Sequence, residues 1–314
     1  MKLRLIFNPR SGRPRRNAPI LPLLRGFISA QGPDADLVST EGPGHATEIA
    51  REAVASGCLR VVAVGGDGTV NEVAQALIHT PAALGLVPCG SGNGLALHLG
   101  LPKSLPAALE LAAGPRGRVA AIDTGAVNGL AFVNAMGLGL DAEVSRRFNQ
   151  LERRGLPAYA RVALAAFCGR STERCQVAAG RQAEMIEALF ISVANSDQYG
   201  NNARIAPGAR IDDGLLDLVA VRPVGILGAA VLGARLFLGS VDRSRSVRRL
   251  RGARFLIERP AAGLIHTDGE THMAAAALEI SVRPRSLRVV VPAECAVVFA
   301  VDERAEAGFA LHLP

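Results

Sequence analysis

The sequence predicts an α/β N-terminal domain with a parallel sheet, followed by a β-rich antiparallel sandwich as a C-terminal domain. Three observations predict it. Strand-like and helix-like stretches alternate through about residue 123. Beyond that point short apolar runs are separated by turns, the texture of an antiparallel β domain. The length of 314 residues exceeds what one small core accommodates and suits two domains.

Taken in order, residues 2–8 (KLRLIFN) are apolar enough for a buried strand and stop at Pro9 and Gly12. Residues 20–31 read as a helix, 36–39 as a short strand, and 46–56 as a helix starting after Gly44. Residues 60–64 (RVVAV) form the clearest buried strand, β-branched and bounded by glycine. A helix over 70–78, a strand over 83–87, and helices over 95–99 and 105–113 complete the alternation. Strands then follow at 131–135, 188–195, 215–221, 254–258 and 278–282, with helical insertions near 159–169 and 226–239. The expected domains are therefore 1–123 and 124–292, with a segment 293–314 that either forms a strand or packs back on the first domain.

Composition excludes several classes. With 49% hydrophobic and 20% charged residues the chain is globular and not disordered. Tryptophan is absent and aromatics are 4%, which argues against stacking surfaces for single-stranded nucleic acid. Five scattered cysteines without a Cys-x-x-Cys pair fit a reducing cytoplasm and give neither a disulfide framework nor a zinc site. The first residues read as a strand rather than a secretory signal. The most apolar stretch, 224–238, is short and carries Arg235, whereas a spanning helix needs about 20 apolar residues. A cytoplasmic protein without a transmembrane segment is expected. The net charge of +7 implies attraction to acidic surfaces, either nucleic acid or anionic lipid.

The strand RVVAV runs directly into Gly65-Gly66-Asp67-Gly68-Thr69 and then a helix. Glycines let a phosphate approach the backbone, and a helix N-terminus adds positive potential. Neither a dinucleotide fingerprint nor a Walker loop is present. An acid inside a phosphate cradle would repel the ligand unless a cation lies between them, so Asp67 implies Mg²⁺. Thr69 and Glu72 also have capping-box spacing, which leaves helix capping open beside a ligand role. A second glycine loop, Gly90-Ser91-Gly92-Asn93-Gly94, follows the next strand on the same edge of the predicted sheet, where open α/β sheets bind ligands.

These residues together resemble the diacylglycerol kinase catalytic-domain family, which includes bacterial lipid kinases and the sphingosine and ceramide kinases. Asn8-Pro9-Arg10-Ser11-Gly12 is similar to the family's Asn-Pro-x-Ser-Gly beside the nucleotide, and Thr40 and His45 fall at family positions near it. Gly65 to Thr69 with Asn71-Glu72-Val73 resembles the family's GGDGTxNEV. Further similarity runs through Phe132-Val133-Asn134, Gly137, Gly139 and Asp141, through Asp213-Gly214-Leu215-Leu216-Asp217, and through Asp268-Gly269-Glu270. The resemblance covers nearly the whole chain and implies an NAD kinase/diacylglycerol kinase-like fold that uses ATP and Mg²⁺.

It also implies site residues. Asn8, Thr40, Gly65, Gly66, Asp67, Gly68, Thr69, Glu72, Gly90, Ser91, Gly92, Asn93 and Glu270 would attend the nucleotide. Asp268 would serve as base for a lipid hydroxyl, a role a carboxylate suits. Asp67 and Asp123 would organise the metal. Asp213 resembles a structural metal position, although Asp-Gly is also turn chemistry. Asp268-Gly269 on its own reads as a hairpin turn. One departure stands out: many bacterial members carry an acid where Gly94 stands here, and the segment looks more like the Gly-Ser-Gly-Asn of sphingosine kinases.

Between Asp242 and Arg254 lie Arg243, Arg245, Arg248, Arg249, Arg251 and Arg254, either a solvated face or a docking surface for anionic lipid worth about 1 kcal/mol per residue. The expectation is a peripheral lipid kinase acting on a diacylglycerol or sphingoid-type lipid. A soluble-substrate kinase of NAD kinase type and a non-catalytic regulator are the alternatives, and a homodimer stays open.

Overall fold

In the computed structural model, which describes residues 2–12, 20–151, 155–169 and 171–296, strands and helices alternate through the first part of the chain. These elements are β1 (Leu3–Phe7), α1 (Ile20–Gln31), β2 (Ala35–Ser39), α2 (His45–Ala55), β3 (Arg60–Gly65), α3 (Asp67–Leu77), β4 (Ala83–Pro88), α4 (Gly94–His98) and α5 (Leu105–Ala113). β1 pairs in parallel with β2 and β3, and β3 pairs in parallel with β4. All six residues of β3 are buried, as a parallel strand covered on both faces requires. Leu24, Val62, Val64, Val87, Leu109 and Ala112 meet in one core on this sheet.

The α3 helix begins at Asp67, three residues before the start expected from the sequence. Gly66 is extended and serves as N-cap, so Asp67, Gly68 and Thr69 are the first helical turn. An acid there is favoured by the helix dipole.

The remaining elements are β5 (Arg118–Val127), β6 (Leu130–Phe132), β7 (Ala135–Gly139), α6 (Leu140–Asn149), α7 (Leu156–Cys168), β8 (Glu173–Ala179), β9 (Gln182–Ala188), β10 (Phe190–Ala194), β11 (Gln198–Gly200) and β12 (Ala203–Arg204). They continue with β13 (Leu216–Val221), α8 (Ile226–Phe237), β14 (Val247–Gly252), β15 (Arg254–Glu258), β16 (Gly263–Thr267), β17 (Glu270–Ala274) and β18 (Ala277–Val291). The order β14-β13-β10-β7-β16-β17 makes one antiparallel sheet. A second antiparallel layer runs β9-β8-β15 and the first part of β18. Met136, Leu138, Ile191 and Leu218 of one sheet pack with Val177, Phe255, Ile257 and Ile280 of the other. This is the sandwich core, filled by alternate side chains of each strand.

The chain folds as two units, and their division is not the single boundary expected near Asp123. The first unit takes residues up to Gly90, then Leu99–Ile122, and resumes at Arg285. The second takes Ser91–His98 and Asp123–Pro284. Texture marks the change at Asp123, but α4 is too short to shift composition, and β18 keeps one apolar pattern through both of its parts. Its later residues, Arg288 and Val289, pair in parallel with β4. Of the expected tail 293–314, residues 297–314 lie outside the described residues.

Candidate functional site

In the first unit the residues expected at the nucleotide lie at the carboxyl edge of the parallel strands. Asn8 follows β1, Thr40 follows β2, Gly65 closes β3, and Gly90 lies two residues beyond β4. Thr40 is buried, and its N–H extends the ladder to Phe7 O at 2.8 Å. The carboxyl edge is where sheets of this kind accept ligands.

Two sequence motifs interlock there. Asn8 Nδ2 donates to Thr69 Oγ1 at 2.9 Å, and the Gly66 N–H donates to Ser11 Oγ at 3.2 Å. Asn8 Oδ1 accepts from the Arg10 N–H at 2.9 Å, which shapes its own loop. The Asn-Pro-x-Ser-Gly segment thus braces the glycine loop.

The glycines of that loop have separable reasons. A Cβ on Gly65 would lie 2.5 Å from Thr69 Oγ1, so packing requires glycine there, and one on Gly66 would lie a tight 3.3 Å from Gly90 Cα. Gly68 differs. It is exposed, its φ is not positive, and a Cβ would meet no atom within 4 Å. Neither sterics nor conformation demands glycine at that position, and the bare backbone at a helix N-terminus suits an anion. The residues present therefore fit a phosphate group.

Glu72 does not close a capping box with Thr69. Its Oε2 accepts from the Ala46 N–H at 3.0 Å, so it caps the neighbouring helix α2, and its carbonyl accepts from Thr47 Oγ1 at 2.9 Å.

In the second unit, Asp268 and Gly269 are the two-residue turn between β16 and β17, with Thr267 opposite Glu270. Both have positive φ, 49° and 89°, the geometry of a type I′ hairpin. The Asp268 carboxylate turns onto another loop. Oδ2 accepts from the Val133 N–H at 2.7 Å, and Oδ1 accepts from Asn134 and Ala135 N–H at 2.8 and 3.0 Å. Burial pushes its pKa up, opposed by these three donors and by His266. Glu270 is exposed at the start of β17.

Asp123 is buried, and its Oδ2 accepts from the Gly214 N–H at 2.7 Å. Asp213, beside that glycine, accepts from its own turn at the Leu215 N–H, 3.0 Å, and pairs with Arg251. The Asp213-Gly214 turn thus holds Asp123, and Asp213 itself pairs with Arg251. Among the described residues no three His, Cys, Asp or Glu side chains converge as a metal cage. Mg²⁺ needs none, since it binds through one or two carboxylates plus phosphates. Asp67, half-buried in the first turn of α3, fits that donor set.

Gly92, Asn93 and Gly94 pack on β11. A Cβ on Gly94 would lie 3.4 Å from Gln198 O and Gly200 N, and one on Gly200 would lie 3.0 Å from Gly92 Cα. Asn93 adopts a positive φ of 52°, and its carbonyl accepts from the Leu97 N–H at 2.9 Å. Ser91 is exposed. A Cβ at 94 would make ordinary van der Waals contact there.

Several polar residues escaped the sequence reading. Asn195, buried, donates to the carbonyls of both Asp123 and Val133 at 2.8 Å, linking the segments that carry Asp123 and the Asp268-bound loop. Tyr199 OH donates to Asp141 Oδ2 at 2.6 Å, and His266 Nε2 lies 3.0 Å from the same oxygen. Burial first, then Asp141, raises the Tyr199 pKa. The Gly269 N–H donates to His266 Nδ1 at 3.3 Å, so this buried cluster abuts the Asp268 turn. His98 and Asp197 form a further pair at 2.6 Å. A polar residue inside an apolar strand pattern was the available signal, but their partners are far away in sequence.

The arginine run divides. Arg248 pairs with Glu184 at 2.9 Å, Arg249 with Asp217 at 2.9 Å, and Arg251 with Asp213. The β13–β14 register sets Asp217 opposite Arg251, while Glu184 comes from β9. Arg243, Arg245 and Arg254 make no ion pair among the described residues.

Residues 2–144 match the diacylglycerol kinase catalytic domain, and residues 134–291 match the YegS C-terminal NAD kinase beta sandwich-like domain. A protein of Enterobacter sp. strain 638 named probable lipid kinase YegS-like is 31% identical over 80% of this chain and 84% of its own. One of the same name from Pseudomonas aeruginosa strain UCBPP-PA14 is 34% identical over 86% of this chain and 90% of its own. A crystal structure of a diacylglycerol kinase from Bacillus anthracis superposes with TM-score 0.71 at 23% identity, covering 95% of this chain and 98% of that one. An NAD kinase from Archaeoglobus fulgidus in complex with ATP shares the fold at TM-score 0.51 and 12% identity, over 94% of this chain and 95% of that one. The chain belongs to the diacylglycerol kinase catalytic-domain family of kinases, with a C-terminal β-sandwich of the YegS type.

Proposed function

We propose that this kinase transfers the γ-phosphate of ATP to the hydroxyl of a lipid of diacylglycerol or sphingoid type. The observation that carries the reading is Gly68, a glycine with open space around it in the first turn of α3, braced by Asn8 and Ser11. Relatives named probable lipid kinases support the lipid acceptor.

The α3 first turn receives the phosphates through backbone N–H groups and the helix dipole. Asn8, Thr40, Glu72 and Gly90 shape the nucleotide's surroundings in the first unit. Mg²⁺, when bound, would offset negative charge on the transferring phosphoryl group, and Asp67 would hold it. Asp268 accepts the proton of the lipid hydroxyl. Its raised pKa makes it a better base than an exposed aspartate, while three backbone donors fix where its oxygens point. The protein acts at the cytoplasmic face of a membrane.

The test is transfer of label from γ-labelled ATP with Mg²⁺ to mixed micelles of diacylglycerol, sphingosine, ceramide or a crude lipid extract. A labelled lipid that disappears with Asp67→Ala establishes the reading and names the lipid. Label passing to NAD instead would make this a soluble-substrate kinase. ATP binding with no transfer to any acceptor would leave a regulator.

A further inference from the structure

The outward side of α8 is apolar. Inward, Leu232 is buried against Val221 and Val241, with Leu236 beside them. Outward, Ile226, Leu227, Val231, Phe237 and Leu238 are exposed, Leu227 by 81% and Leu238 by 78%, with alanines at 230 and 234 between them. These positions recur at the helical period, so they form one continuous face. An ordinary surface helix turns its polar residues out, and this one has none on that side.

The charges flanking it in sequence are mostly basic, and Asp242 lies 3.9 Å from Arg249. No acidic residue occurs between Asp217 and Asp242. Arg222, Arg243 and Arg245, at the two ends of the helix in sequence, are exposed and make no ion pair among the described residues. An apolar helix face with a basic rim complements an anionic bilayer. The helix has 12 residues, about 18 Å, and no helix among the described residues is long and apolar enough to cross a membrane.

We propose that α8 is the membrane-docking element, lying in the plane of the bilayer with Leu227, Val231 and Phe237 in the acyl region and the flanking arginines on anionic headgroups. The proposal rests on the lipid-kinase reading and moves the docking surface from the arginine run to the helix before it, since Arg248, Arg249 and Arg251 are already paired within the protein. A second copy of the chain is a poorer occupant. Two-fold pairing would bring each arginine rim close to its own copy, and one short helix offers far fewer residues than the about 20–30 per side of a stable interface.

The experiment is co-sedimentation of the full chain, without nucleotide, with phosphatidylcholine vesicles that do or do not contain phosphatidylglycerol. Leu227→Glu with Val231→Glu should lower binding to the anionic vesicles about tenfold with an unchanged melting temperature, because both side chains are exposed. The chain has no tryptophan, so Leu227→Trp reports alone. It should retain binding, and its emission should shift to the blue on anionic vesicles. Absent vesicle binding, an unshifted tryptophan, or a double variant that binds like wild type would overturn the proposal. Conversion of a dimer to a monomer with vesicle binding intact would give the face to a second copy. Phosphorylation of a short-chain lipid below its micellar concentration, measured beside this, separates the two readings: docking can fail while the kinase stands, and the reverse.

Discussion

Asn8 and Thr69, 61 positions apart, are joined by a hydrogen bond of 2.9 Å from Asn8 Nδ2 to Thr69 Oγ1. The bond fastens the loop after β1 to the first turn of α3, so the helix end that would meet a phosphate is fixed from outside its own segment. Ser11 adds a second tie at the Gly66 N–H. Such bracing is what a preorganised anion site needs, because the donors are then held in place before the ligand arrives.

A double-mutant cycle tests this coupling. Asn8→Ala and Thr69→Ala should each weaken ATP binding, and the pair should lose less than the sum, with a coupling of about 0.5–1.5 kcal/mol. Calorimetric titration of the four proteins with ATP gives the answer. Additive losses would mean that the two residues act independently.

The loop glycines should separate in their effects. Gly65→Ala places a Cβ 2.5 Å from Thr69 Oγ1 and should cost about 1–3 kcal/mol of stability. A Cβ at 68 meets no protein atom within 4 Å, so Gly68→Val should leave the denaturation midpoint nearly unchanged, within about 1 kcal/mol. It should nevertheless abolish ATP binding. Stability curves and nucleotide titrations on both variants decide it, and a Gly68→Val protein that binds ATP normally would remove the main support for the phosphate site.

Much of this arrangement was legible in the sequence. RVVAV before the glycine loop named β3, and strand–helix alternation gave the parallel sheet, because buried parallel strands carry unbroken β-branched runs. The start of α3 was misplaced, since glycines at 66 and 68 read as loop while one of them is the N-cap and the other lies inside the first turn. α6 was missed because Gly-Leu-Gly-Leu-Asp alternates like a strand up to the residue where the helix begins. The Asp268-Gly269 turn could be read locally, but its three backbone donors lie 133 to 135 positions away and leave no local trace. Periodicity likewise cannot say which side of the largely apolar α8 faces solvent.

Asp67 should govern the metal dependence. Asp67→Asn keeps the shape of the first turn of α3 and removes its charge, so the Mg²⁺ concentration for half-maximal phosphate transfer should rise about tenfold or more. Folding should be little affected, since Asp67 is only half-buried and a first-turn acid contributes about 0.3–1 kcal/mol. Metal titrations of phosphate transfer, run beside thermal melts, test both halves. An unchanged Mg²⁺ requirement would assign the metal to other residues.

Asp268 joins structure and chemistry, and pH separates them. Burial raises its pKa in the folded state, so the native carboxyl holds its proton more tightly than the unfolded chain does. Its contribution to stability is therefore present at low pH and declines as pH rises through the folded pKa. Activity runs the other way, because a base works only when ionised: kcat/KM should climb over the range in which that stability term falls, above the ordinary aspartate pKa of about 3.9. Asp268→Asn should lower kcat about 10²–10⁴-fold and erase this limb of the profile. It should also cost about 1–3 kcal/mol of stability, because an amide nitrogen then faces backbone N–H groups of Val133, Asn134 and Ala135. Urea unfolding and the pH profile of both proteins measure the two effects separately. A variant that loses stability yet keeps kcat and its pH dependence would make Asp268 a structural anchor, with the base elsewhere.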